Sequence, residues 1–392
     1  MSSLEFVTAG ESHGKGLVIM VKGMVADLPL SEEYIAAQLA RRQLGYGRGG
    51  RMKIEKDFAE IISGVRHGLT LGSPISMLLR NRDWENWTTK MAIEPVEEEI
   101  ERVTRLRPGH ADLAGAMKYD QSDIRNILER SSARETAARV AAGAVARRFL
   151  EEFGIILRSH VLSIGGEWIP SLESIDWDVV EASQVRCADP ATEQRMIDAI
   201  KAAKKEGDTV GGAVEVIAEG VPVGLGSHTH WDTKLEGRIG QAFLSIHAVK
   251  AVSVGDGVGA ADRRGSKVHD VVEPFADGRW TRKTNNAGGI EGGMSTGEPI
   301  SVTFFLKPIS TMAHPLPSAD LLTGELVEAH YERSDVCVVP AAGVIGEAML
   351  AIVLANAFFE KFGGDSLAET RRNYEGFLRT VGPKGRAGEA AL

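Results

Sequence analysis

Cysteine is almost missing from this chain: its 392 residues include only Cys187 and Cys337. So sparse a set excludes a disulfide framework and a structural zinc cluster. It suits a reducing compartment, with both thiols expected as small buried apolar groups. Long hydrophobic runs are scarce as well. The longest, AMLAIVLANAFF at 348–359, falls short of the ~20 residues a bilayer span needs, so a buried helix and no membrane role are expected there. The opening MSSLEFVTAGES has no basic segment leading into an apolar run, which reads as neither secretory signal nor transit peptide and points to the cytoplasm. Positive charge is in deficit: 45 Lys and Arg against 54 Asp and Glu leave a net charge of -9. That balance argues against a general nucleic-acid surface. Nucleotide signatures are lacking too. The chain has no G-x-x-x-x-G-K-[ST], and its glycine clusters do not sit in a strand, G-x-G-x-x-G, helix context, which disfavours a conventional dinucleotide-binding dehydrogenase.

What is present is ordinary globular composition, 43% hydrophobic and 25% charged, with enough chain for a large core. No linker divides it, and one α+β domain over 1–392 is expected. GLVIMVKGMV at 16–25 reads as a strand. LSEEYIAAQLARRQ at 30–43 reads as a helix, with Ser31 as N-cap and acidic residues at the positive end of the dipole. SSARETAARVAAGAVARRFLEEFG predicts a second helix, opened by a Ser132/Glu135 capping box and closed by Gly154. GGAVEVIAEGVPVGLG at 211–226 and PISVTFFLKP at 299–308 alternate like half-buried strands. The glycine-rich TNNAGGIEGGMSTGEP at 284–299 can bring backbone N–H groups against a ligand.

Against the negative total, arginines are concentrated in RRQLGYGRGGRMK at 41–53 and SSARETAARVAAGAVARR at 131–148. Basic islands in an acidic protein point to a focused anion site. Arg42, Arg48, Arg107, Arg134 and Arg333 each lie beside a glycine, a proline or a helix end. The planar guanidinium fork grips carboxylate or phosphate at two points. Each charge-assisted hydrogen bond contributes ~1.5–3 kcal/mol, so several hold a small polyanion. His13 in AGESHGKG and His110 in RPGHAD fall in loops, where a side chain titrating near neutral pH can exchange protons with a ligand. Asp335, at the entrance to an apolar run, is a carboxylate whose proton affinity can shift. His228, His230 and Asp232 form an incomplete ligand set, and no metal is expected. Residue chemistry therefore reaches an enzyme for a small, multiply anionic substrate. A flavin-dependent reductase of a small polyanion and a non-catalytic polyanion-binding module stay open as alternatives.

These same stretches resemble the chorismate synthase family: TAGESHG at 8–14, RRQLGYGRGGRMKIE at 41–55, SGVRHGLTLGSPI at 63–75, RPGHADLAGAMKY at 107–119, LERSSARETAARVAAGAVA at 128–146, TNNAGGIEGGMSTGEPI at 284–300 and RSDVCVVPAAG at 333–343. The resemblance implies a β-α-β sandwich with two antiparallel sheets and helical layers, assembled as a homotetramer. It implies a 1,4-trans elimination of phosphate from 5-enolpyruvylshikimate 3-phosphate, giving chorismate and needing reduced FMN without net redox change. By resemblance, Arg42, Arg48, Arg107 and Arg134 would hold the substrate's phosphate and carboxylates. His13 would protonate the departing phosphate, His110 would act on the reduced flavin, and Asp335 would assist proton removal. The flavin would be held by Arg130, Ser131, Ser132, His247, Ala248, Gly292, Lys307, Pro308, Ile309, Ser310, Thr311 and Arg333. His247 stands where many relatives carry Asn, and Ala251 where glycine is commoner. Some family members reduce their flavin with NADPH. No extra reductase segment is visible here, so an external flavin reductase is expected.

Overall fold

The computed structural model describes residues 3–48, 56–332 and 334–384. Its frame is a pair of antiparallel sheets with helices between them. The first sheet orders its strands Glu5–Ala9, Gly16–Lys22, Ile75–Arg80 and Ala59–Ser63. Leu17, Ile19 and Val21 are buried, while the intervening Val18 and Met20 face outward, as a period of two dictates. The second sheet runs Val249–Val254, Ile300–Leu306, Gly212–Glu219, Ile156–Ile164 and Glu167–Trp168. Ile300, Val302, Phe304 and Leu306 supply its inner face.

Between the sheets lie the helices Glu32–Gln43, Thr136–Glu151, Leu235–Leu244 and Val339–Phe362, the last packing on strands Ile156–Ile164 and Gly212–Glu219. This is the α+β sandwich expected. The run at 348–359 belongs to a helix of 24 residues, the one described helix long and apolar enough to cross a membrane. Its most apolar window is 94% buried within the protein, so its hydrophobicity is explained by its place at the centre of the core.

Ser31 caps its helix as expected, accepting from the Tyr34 amide. The Ser132/Glu135 capping box does not form. Ser132 accepts from the Arg134 amide, but at the head of a short 3-10 turn, Ala133–Glu135, and the α-helix starts at Thr136. Glu135 is drawn away instead, accepting from Thr8 Oγ1 and from Arg139 Nε, each at 2.8 Å. Two charge-assisted or buried partners outweigh one cap hydrogen bond. Gly154, with φ +74°, turns the chain out just past the helix.

Candidate active site

The sandwich brings its candidate residues together from loops at strand and helix ends. Arg42 closes the helix Glu32–Gln43, and Arg134 sits in the turn ahead of the helix Thr136–Glu151. Both are buried and converge on Asp57: Arg42 Nη2 lies 2.7 Å from Oδ2, and Arg134 Nη1 pairs with Oδ1. Burial, aided by the like charges of Arg48 and Arg134, pushes Arg42 down to about 10. Burial alone would raise Asp57, yet the two guanidiniums hold it below the usual carboxylate range. Arg48 Nη1 lies 3.2 Å from Asp335 Oδ2. That pairing follows from the backbone, since the Val336 amide bonds to the Gly47 carbonyl at 2.9 Å. Among the described residues, three guanidiniums and two carboxylates thus meet at one locus, a concentration of forked donors that suits an anion.

His13 joins this locus through Asn81. The Asn81 amide nitrogen donates to the carbonyls of Glu11 and Gly14, fixing the loop around His13, while its oxygen accepts from Arg134 Nε at 2.9 Å. The His13 ring stacks on Trp87, with centroids 4.0 Å apart. Its Nδ1 lies 2.9 Å from Glu129 Oε1.

His110 belongs to a second group. Its Nδ1 is 2.6 Å from Asp112 Oδ1 and 3.0 Å from Arg107 Nη2. Both contacts cannot be hydrogen bonds to one ring nitrogen in a single protonation form. Burial would raise Asp112, but its hydrogen bonds from His110 and Arg107 hold it well below the usual range. Asp112 is therefore an acceptor, Nδ1 carries the proton, and Arg107 donates to the carboxylate rather than to the ring. Arg107 Nη1 also reaches Thr311 Oγ1 at 3.3 Å, and Lys307 Nζ donates to the Gly109 carbonyl. Lys307–Thr311 is thereby tied to the His110 loop.

His247 and Ala248 flank this group. The Lys307 amide donates to the Ala248 carbonyl at 3.0 Å, and Ala248 holds φ +67°, a left-handed conformation that strains a side chain. His247 Nδ1 is buried with no hydrogen-bond partner among the described residues. Burial pushes the imidazole below the ordinary histidine range; nearby Arg139, His110 and Arg130 add to that, and Glu135 opposes it. Arg130 donates to the carbonyls of Thr8 and Gly10, and Ser132 Oγ to Ser12 Oγ, so both stand against the His13 strand and loop. Ser131 instead spends its hydroxyl on the Ile127 carbonyl. Gly292 sits in the turn of the hairpin Ile290–Ser295, with open space where a Cβ would stand, and Arg333 is outside the described residues. Residues the sequence did not single out, namely Asp57, Asn81, Trp87, Asp112 and Glu129, bind the others together. Cavities of about 250 and 390 Å³ open elsewhere, on the five-stranded sheet beside Glu215. They share none of these residues.

The family described as Chorismate synthase matches this chain over residues 4–359. The chain belongs to the chorismate synthase family. It is 54% identical over 387 residues to the chorismate synthase of Solibacter usitatus, spanning 96% of this chain and 99% of that protein. It is 52% identical over 391 residues to that of Aquifex aeolicus, spanning 96% and 98%. A solved structure titled Crystal Structure of Chorismate Synthase superposes with TM-score 0.79 at 43% identity, covering 97% of this chain and 98% of that one. As a member of the chorismate synthase family the chain is an enzyme, a lyase.

Proposed function

We propose that this chain catalyses the 1,4-trans elimination of phosphate from 5-enolpyruvylshikimate 3-phosphate to give chorismate, using reduced FMN with no net redox change. The observation that carries the reading is the continuous network in which Arg42, Arg134 and Asp57 reach the His13 loop through Asn81. An anion site and a proton donor are thereby built as one unit. Phosphate and two carboxylates on a small ring are three anionic groups of the kind that Arg42, Arg48, Arg134 and Arg107 can grip. Clamping them orients the ring and lowers the entropic part of the barrier. His13, beside the arginines, delivers a proton to the departing phosphate oxygen, and Trp87 stacked on its ring keeps water from one face.

The flavin site is judged by its donors. A buried, orphaned His247 Nδ1 and the strained Ala248 backbone fit a ligand that completes them. His247, Ala248, Lys307 to Thr311, Arg130, Ser131, Ser132, Gly292 and Arg333 would hold the FMN. When bound, reduced FMN supplies electron density for C–O cleavage and recovers it. His110, with Nδ1–H committed to Asp112, would exchange a proton with reduced FMN through Nε2, and Asp335 would assist removal of the ring proton. The enzyme works as one domain over 1–392, in the cytoplasm, as a homotetramer, and takes its flavin reduced by an external reductase rather than by NADPH of its own.

Anaerobic incubation of the protein with chemically reduced FMN and the substrate tests this. Phosphate and chorismate should appear in equal amounts, over many turnovers per flavin, and not with oxidised FMN. Stoichiometric consumption of NAD(P)H with a reduced product would replace the reading with a reductase.

A further inference from the structure

Glu129 is buried to 2% exposure and clamps His13 through both of its carboxylate oxygens. Its Oε1 and Oε2 lie 2.9 and 3.0 Å from His13 Nδ1. Oε2 also accepts the His13 amide at 2.8 Å, and Oε1 accepts Arg125 Nη1 at 2.8 Å. Arg125 in turn stands 4.9 Å from the Trp87 ring centroid, on the residue that stacks against His13, and donates to Glu332 at 3.0 Å. One carboxylate thus faces three donors: a backbone amide, a guanidinium and the imidazole.

A carboxylate only accepts, so the proton shared with the ring sits on Nδ1. We propose that Glu129 is a positioning residue that fixes His13 in the Nδ1–H form and so commits it to exchanging protons with the substrate through Nε2 alone. This rests on the reading of His13 as the acid for the departing phosphate. In that step the Nε2–H bond breaks, an O–H bond forms on the phosphate, and the electron pair stays on Nε2. The ring is left neutral with Nδ1–H still held by Glu129. The next cycle begins when Nε2 takes a proton back from water.

Glu129→Gln isolates the effect. Glutamine offers one acceptor and one donor group to the same three partners. The backbone amide and Arg125 cannot become acceptors, whereas imidazole can, so the new NH₂ is satisfied by turning Nδ1 into an acceptor and moving the ring proton to Nε2. The form that should remain after proton delivery is then disfavoured. The same logic in a serine-protease triad costs about 10⁴ in turnover when the carboxylate becomes an amide.

The test uses full-length protein labelled with ¹⁵N-histidine, at about pH 9 where imidazoles are neutral, with the His13 signals assigned by their loss in His13→Asn. Wild type should give the Nδ1–H pattern and Glu129→Gln the Nε2–H pattern. In the reduced-FMN assay, Glu129→Gln should lower kcat by about 10²–10⁴ while KM stays within about threefold. An Nε2–H pattern in wild type overturns the proposal whether or not the variant folds. So does an unchanged tautomer in a folded variant, or a loss confined to KM. A tautomer that switches as expected while the wild-type protein shows no elimination would leave the clamp standing and sink the reaction on which the role of His13 as acid rests.

Discussion

Asp57 is the shared counter-charge of two buried arginines. Asp57→Asn keeps the shape and removes the charge, leaving Arg42 and Arg134 facing each other and Arg48. Breaking a buried pair from one side costs about 3–5 kcal/mol, so the denaturant midpoint should drop sharply, and a change under ~1 kcal/mol would mean another group neutralises the cluster. His13→Ala and His110→Ala should each lower kcat by ~10²–10⁴ with the fold retained, as for lost acid catalysis. Full activity in either would remove that ring from the reaction. Arg48→Ala should chiefly raise KM, since the side chain pairs with Asp335 beside Arg42 and would grip one of the substrate's anionic groups; an unchanged KM would exclude it from substrate binding. The histidines and arginines were legible in the sequence because glycine and proline beside them mark loops, where titratable and forked side chains meet ligands. Asp57, Asp112 and Glu129 were not, because an acidic residue in a sequence looks like any solvated one until folding buries it. Glu129 meets its histidine across 116 positions and Asp57 meets Arg134 across 77, and no local pattern encodes such pairings.

The elements show the same division between local and long-range information. The strands read at 16–25 and 299–308 and the Ser31 cap rest on local signals; the first strand forms but ends at Lys22, the second spans Ile300–Leu306, and the cap forms as expected. The Ser132/Glu135 box failed because Thr8, from a distant strand, and Arg139 compete for Glu135. Helix contacts carry a further constraint invisible to periodicity. At Gly143, inside the helix Thr136–Glu151, a Cβ would meet Ala348 Cβ at 2.4 Å and its Cα and carbonyl oxygen at 2.7 Å. Those atoms belong to the central helix, so nothing nearby can swing aside. Gly143→Ala should therefore destabilise by roughly 1–3 kcal/mol through overpacking, despite alanine's better helix propensity. Gly376, in the helix Leu367–Leu378, has open space at the same atom. Gly376→Ala should stabilise by about 0.5–1 kcal/mol. Thermal midpoints moving in opposite directions would establish that helix approach, not propensity, selects glycine at 143; both rising would show that the two helices can separate.

At the scale of the whole molecule, the layers are joined at one buried charge. Glu347, on the central helix, is 1% exposed and takes Arg41 Nη1 at 2.6 Å, Arg147 Nη1 at 2.5 Å, Ser159 Oγ at 2.6 Å and Arg186 Nη2 at 3.5 Å. It therefore ties the first helix, the helix Thr136–Glu151 and the strand Ile156–Ile164 to the core. Arg41 precedes Arg42, so the same node fixes the end of the helix that delivers an arginine to the anion site. Burial alone would raise the Glu347 pKa, but Arg41 and Arg147 outweigh it and hold it at about 2. Glu332 is held at about 2 against burial by His330 and Arg125, and Asp57 and Asp112 are depressed by their own arginines. A carboxyl with a depressed folded pKa stabilises the fold fully above its unfolded value and loses that contribution as pH falls through the folded one. The expected loss of stability begins near pH 5, where unfolded carboxylates start to bind protons, and continues to about pH 2. A shift of this size is worth about 3 kcal/mol for Glu347 alone. Glu347→Gln should be less stable than wild type by about 3 kcal/mol at neutral pH, because Arg41, Arg147 and Arg186 lose their buried partner and keep only the more exposed Glu181 and Glu151. Because acid progressively neutralises Glu347 in the wild type, the gap between the two proteins should narrow as pH falls from 5 towards 2. Urea midpoints measured across that range decide the matter: a gap that stays constant would mean that Glu347 is already neutral in the folded core and that the layers are held by packing rather than by its charge.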